Sequence, residues 1–152
     1  MLKLRKNKKG FTLVELIVVI AIMAVLAGTV AGVTVSQLNK QTNNSGATQA
    51  KLIADYVIQE ISADPENVID TSGTSTVFKE DSSKTVILER INANMKNDKI
   101  GFTTSSEKGK INVAVDANKT TVTITYYAKG NGSNTVYTVT ADGVLTKTAP
   151  TA

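Results

Sequence analysis

A run of 21 residues without a charge, Leu16 to Ser36, limits what this chain can become more than any other feature. A helix rises about 1.5 Å per residue, so a run of this length crosses a hydrocarbon core of about 30 Å. It is longer than the apolar stretch of a removable secretory signal, about 7–15 residues, and no small-x-small cleavage site leads from it directly into the polar part. One carboxylate, Glu15, stands at its N-terminal border. Five cations (Lys3, Arg5, Lys6, Lys8 and Lys9) come before it, with no acid in the first ten residues. A dense basic flank ahead of an apolar span reads as the cytoplasmic side of a membrane.

That flank distorts the charge balance. The chain has 17 Lys+Arg and 13 Asp+Glu, a net charge of +4; setting the five leader cations aside leaves 12 bases against the same 13 acids, a net of −1 from Phe11 onward. The basic character does not belong to the folded part, which argues against a nucleic-acid-binding face. There is no Cys and no His. No disulfide framework or Cys-based metal site is available, and the commonest general base and transition-metal ligand is missing. The acids are scattered without calcium-loop spacing. The expectation is no catalytic residue, no metal and no cofactor, in one small domain of about 100 residues beyond the span.

Past the span, residues 37–46 are polar. Residues 47–63 then carry Ala50, Ile53, Ala54, Val57 and Ile61 at three- and four-residue spacing, one apolar stripe of a helix. Asp64-Pro65 ends it, because proline disfavours helix at the residue before it. The pattern predicts one helix from Thr12 to about Ala63, on the order of 75–80 Å long, with a bend or local melting at Asn43–Gly46. A monomeric domain cannot bury such a helix, so neighbours must. Residues 65–82 read as loop with a short extended run at Thr76–Lys79. Residues 83–96 read as a second helix, with Ile87 or Leu88, Ile91 and Met95 on one face and Asn97-Asp98 as the stop.

The period then changes to two. Ile111, Val113 and Val115 alternate with other residues, as do Val122, Ile124 and Tyr126, and Tyr137 and Val139. This is the pattern of antiparallel strands with one buried face. Asp116–Lys119 and Gly130–Asn134 read as hairpin loops, and Asp142-Gly143 as a turn before a last strand, Val144–Lys147. The fold class is α+β. A long N-terminal helix, half transmembrane and half amphipathic, packs its second half on a small antiparallel meander sheet. The expected divisions are a leader at 1–10, a span at 11–36, an amphipathic half-helix at 37–63 and a head domain at 64–152.

The segment Lys8-Lys9-Gly10-Phe11-Thr12-Leu13-Val14-Glu15 resembles the class III signal of type IV prepilins: a short basic leader, Gly, an aromatic residue, a few apolar or Thr positions, then Glu. The resemblance covers about 30 residues at the N-terminus. It implies a structural pilus subunit, cut after Gly10 by a prepilin peptidase that also methylates the new N-terminus at Phe11. It further implies that the cation made at Phe11 pairs with Glu15 of a neighbouring subunit in filament assembly. The implied partners are other copies of the chain, the peptidase and methyltransferase, an assembly ATPase with its membrane platform, minor pilins, and membrane lipid before assembly. Many members of that family carry a helix-breaking Pro where this chain has Gly32. Gly28 and Gly32 form a Gly-xxx-Gly pair suited to close helix packing or local flexibility.

Glycine at position 10 offers an unbranched, flexible backbone next to the membrane, where a peptidase must reach. A carboxylate at the border of a span is costly, so Glu15 calls for a partner or for snorkelling to the interface. Other readings stay open: a minor pilin, a secretion or competence pseudopilin, and an uncleaved signal anchor tethering a binding module. The lack of a cysteine clamp in the C-terminal loop, with the Lys-rich leader and the Asn-, Lys- and Thr-rich domain, points to a Gram-positive source. Three acceptor patterns for glycans begin at Asn43, Asn118 and Asn131. They are frequent by chance in such a chain, and no modification is assigned.

Overall fold

The computed structural model describes residues 10–82, 84–96 and 101–148. The leader cations and the Asn97-Asp98 stop lie outside the described residues. The chain divides into two units, one ending at Gln37 and the other beginning at Leu38.

Helix α1 spans Leu13–Ala63. In the first unit its side chains are exposed throughout. In the second, Gly46, Ala50, Ile53, Ala54, Val57 and Ile61 are buried, the stripe expected from three- and four-residue spacing. The helix ends at Ala63, and Pro65 opens the four-residue helix α2, Pro65–Val68. Proline suits that first position because its missing N–H is one that a helix start leaves unpaired anyway.

The local melting expected as one alternative at Asn43–Gly46 is absent, and residues 43–46 are helical. Gly46 is a point of close approach. A Cβ there would stand 2.1 Å from Cε2 and 2.2 Å from Cζ of Tyr126. Helix propensity alone counts this glycine as a weakness; the ring that covers it requires the missing side chain.

The extended run expected at Thr76–Lys79 contains a strand, Val77–Phe78, while the reading of the rest of residues 65–82 as loop is corrected. Besides α2, this stretch and its flank hold two miniature antiparallel ladders. Strand β1 (Ile69–Asp70) pairs with β2 (Val77–Phe78), and β3 (Glu80–Asp81) pairs with β4 (Lys84–Thr85). Val68 and Phe78 are buried and anchor the segment in the core. Helix α3 follows at Val86–Asn94, three residues later than expected at its start because Lys84 and Thr85 belong to β4. Ile87 and Ile91 are its buried residues, and Met95 packs partly against the core.

Strands β5 (Ile111–Val115), β6 (Thr121–Tyr126), β7 (Thr135–Thr140) and β8 (Leu145–Thr148) form a four-stranded antiparallel meander in sequence order. Ile111 stands opposite Tyr126, Ile124 opposite Tyr137 and Val122 opposite Val139, so the buried residues of successive strands fall on one face. That face meets the stripe of α1 and the inner sides of α2 and α3 in one core. Strand β8 starts one residue later than expected. Val144 is 57% exposed and belongs to the turn, where Gly143 takes φ +82. The Asp116 carboxylate accepts bonds from the backbone N–H of Asn118 (3.2 Å) and Thr121 (2.6 Å) and from the Thr120 hydroxyl (3.1 Å), which closes the β5–β6 hairpin.

Candidate assembly site at the N-terminus

Gly10 and Phe11 precede α1, and Phe11 is 94% exposed. The peptide bond between them lies outside the helical hydrogen-bond ladder, in backbone that an enzyme can grip. Thr12 is the N-terminal cap. Its hydroxyl accepts a bond from the Glu15 N–H (3.2 Å), while Glu15 Oε2 accepts from the Thr12 N–H (2.8 Å) and from the Thr12 hydroxyl (2.9 Å). This is a reciprocal capping box. Glu15 therefore has a local partner as well as a favourable place at the positive end of the helix dipole. Thr12 is the site residue that reading the sequence for charge missed. The Thr-x-x-Glu spacing just before an apolar run was the signal that would have found it.

Beyond Glu15 the large apolar side chains from Leu16 to Val35 are exposed. A soluble monomer rarely leaves so continuous an apolar surface in water. The polar groups within it are satisfied internally: the Thr29 hydroxyl donates to the Leu26 carbonyl (2.9 Å) and the Thr34 hydroxyl to the Val30 carbonyl (2.8 Å). A segment surrounded by lipid needs that closure of its hydrogen bonds. Gly28 and Gly32 lie one helical turn apart, and a Cβ at either would meet nothing within 4 Å. Any steric demand for glycine there must come from another molecule. The structure brings Gly10, Phe11, Thr12 and Glu15 to the start of α1 and leaves Gly28 and Gly32 further along it.

Among the described residues no group of three or more His, Cys, Asp or Glu side chains is arranged to hold a metal ion. The nearest approach to a charged cluster elsewhere is a structural clasp. Arg90 on α3 bonds Glu60 near the end of α1 and, at 2.5 Å, Asp64. Bonds from Arg90 and then from Asn67 hold the Asp64 carboxyl below its usual value of 3.8.

A long N-terminal helix, packed in its second half on small antiparallel sheets and exposed and apolar in its first, gives an α+β fold of type IV pilin-like class. Residues 5–31 match the family profile described as the prokaryotic N-terminal methylation motif, the class III signal of type IV pilins. The match takes in Gly10, Phe11, Glu15 and Gly28 and ends one residue before Gly32. Comparison with curated proteins and with solved structures returns no match. The motif and helix α1, the one helix among the described residues long and apolar enough to cross a membrane, fit a membrane-anchored precursor.

Proposed function

We propose that the chain is the precursor of a structural subunit of a type IV pilus. The observation that carries this reading is the methylation motif at residues 5–31, set at the start of a helix whose apolar side chains are exposed. On this reading residues 1–10 are a cytoplasmic leader, 11–36 the span and later filament core, 37–63 the half-helix of the head and 64–152 its α+β remainder. A prepilin peptidase cuts between Gly10 and Phe11, Phe11 is N-methylated, and an ATPase with its membrane platform draws the subunit from the lipid into a filament of its own copies. Adhesion, aggregation and twitching motility are the roles such a filament serves. The cysteine-free head is what supports a Gram-positive source.

Cutting leaves the capping box intact, because the amide of Thr12 survives it. Both bonds from Thr12 fall on Oε2 of Glu15. Oε1 stays available to the cation that cutting creates on Phe11 of a neighbour. Such a pair, enclosed among packed helices, is costly to break from one side. The uncut precursor has an amide at Phe11 and supplies no such cation, so processing gates assembly. Gly28 and Gly32 give neighbouring helices room to approach.

Mass spectrometry of the protein from the native cell surface tests the reading. A chain beginning at Phe11 with one added methyl group is expected; one still beginning at Met1 would sink it in favour of a tethered binding module. Glu15→Gln isolates the charge, since glutamine also closes a capping box. It is expected to be processed normally, with sheared filament yield reduced about ten-fold or more. Residues 141–152 hold a single acid, Asp142, which supports a pilus subunit over a secretion pseudopilin with a C-terminal calcium loop.

A further inference from the structure

The head has charged ends of opposite sign. Tyr126 lies over Gly46 and donates from its hydroxyl to the Thr42 carbonyl (3.3 Å), so the Tyr126 end of the sheet is the end nearest Leu38. The connections at that end carry Lys108, Lys110 and Lys129. The Lys129 N–H donates to Asn43 Oδ1 (2.8 Å), and Asn43 Nδ2 donates to the Lys129 carbonyl (3.1 Å). Lys108 Nζ reaches the Gly130 carbonyl at 3.3 Å, and the Lys129 stem crosses Gly109. A Cβ on Gly130 would stand 3.0 Å from Asn39 Nδ2. Lys108 and Lys129 are exposed, and Lys110 is half-buried. Glu107 is the acid in the same turn, yet among the described residues none of the three lysines has a carboxylate within ion-pair reach. At the opposite end stand Glu60, Asp64, Glu80, Asp81, Asp116 and Asp142; Arg90 and Lys119 are paired to Glu60, Asp64 and Glu80, and Lys79 and Lys84 share this end beside Glu80 and Asp81, leaving six acids against four bases among these residues.

Chain connectivity decides what the lysines meet. Asn39 follows Ser36, the last residue of the span, by three positions. Even fully extended backbone covers only about 11 Å in that distance. In a membrane-anchored subunit the Lys129–Gly130 turn is therefore held within a short reach of the lipid headgroups.

We propose that Lys108, Lys110 and Lys129 form a docking surface for anionic phospholipid headgroups on the outer face of the membrane, engaged while the subunit waits in the bilayer. The inference rests on the membrane-anchored reading above. The attraction acts within about a Debye length and is worth about five-fold in surface partition for each lysine brought to an anionic surface. The acidic far end faces away, so one orientation of the head is favoured. Extraction into a filament then has to release these contacts.

The test uses the full precursor chain in vesicles. The protein has no cysteine, so Asn131→Cys beside Lys129 takes a single fluorophore, and energy transfer to headgroup-labelled lipid reports approach. Flotation first shows whether the chain is inserted. Transfer is expected to be stronger in vesicles containing phosphatidylglycerol than in phosphatidylcholine alone. It should fall as salt is raised from about 0.1 to about 1 M. The Lys108→Gln/Lys129→Gln pair should lower the equilibrium constant for headgroup contact about 25-fold, read as weaker transfer. Equal transfer in both lipids from a chain that floats overturns the proposal and leaves the membrane reading intact. Transfer that ignores lipid charge but rises with protein density overturns it in favour of pairing with the acidic end of a second copy. A chain that does not float overturns both.

Discussion

At the scale of single residues, the seam between helix and sheet depends on two small choices, glycine at 46 and asparagine at 43. Adding a methyl group at Gly46 raises helix propensity by about 1 kcal/mol. It also drives a Cβ to within 2.5 Å of three atoms of the Tyr126 ring, which is fully buried and has no room to retreat. Overpacking of this kind costs about 1–3 kcal/mol or more, so the clash wins. Gly46→Ala is expected to lower the stability of the head by about 1–2 kcal/mol in urea unfolding, against the direction propensity predicts. Asn43 serves Tyr126 and both backbone groups of Lys129 with one amide. Asn43→Ala takes this partner from both backbone groups of Lys129, leaves the Tyr126 hydroxyl with only the Thr42 carbonyl, and is expected to cost about 1–3 kcal/mol. The same engagement makes Asn43 a poor glycan acceptor although its sequence pattern fits.

Elements meet through the clasp of Arg90 with Glu60 and Asp64, which ties α3 to the end of α1. The folded state holds the Asp64 carboxyl below 3.8, first through Arg90 and then through Asn67. A depressed value means the unfolded chain takes up the proton more readily. The contribution is fully present above pH 3.8 and is lost as pH falls through the lower folded value. Urea midpoints measured downward from neutral pH should therefore fall in acid, and Arg90→Gln should flatten part of that fall. In the last hairpin Gly143, at φ +82, supplies a conformation that other residues take at a cost. Gly143→Ala is expected to lose about 1–2 kcal/mol, read as a shifted thermal midpoint.

The meander was legible in the sequence because Val122, Ile124 and Tyr126 repeat at period two, and the half-helix because Ala50 to Ile61 repeat at helical spacing. Of the ladders of β1–β4 only β2 was legible, as the extended run at Thr76–Lys79, since two-residue strands contain no period to detect. Distant contacts hold them: Val68 and Phe78 are buried in the core, the Phe78 N–H donates to the Lys119 carbonyl, and Lys119 pairs with Glu80. Gly46 was misread for a related reason: what it needs is a ring 80 residues away. At the N-terminus Gly10, Phe11 and Glu15 were visible as a local motif, while the box that Thr12 forms with Glu15 was overlooked.

At the scale of the molecule, the described residues divide their hydrophobic groups cleanly. Those that are buried lie between Ala50 and Ala141, and the run from Leu16 to Val35 is exposed. Water should therefore tolerate one unit and reject the other. A chain beginning at Leu38 is expected to stay monomeric and unfold cooperatively without detergent, whereas the full chain should aggregate unless detergent or lipid covers residues 16–36. Sedimentation of both forms with and without detergent checks this; a full chain monodisperse in plain buffer would contradict it. Neither form has a covalent crosslink to fall back on, because the chain contains no cysteine.

The ring over Gly46 also makes the protein its own optical gauge. There is no tryptophan and there are only four tyrosines, and Tyr126 is the one with no exposed surface. Its near-ultraviolet dichroism and second-derivative absorbance report whether the helix is seated on the sheet, with no added dye. The same signal, followed from vesicle to the proposed filament, reports whether the head stays closed on its helix.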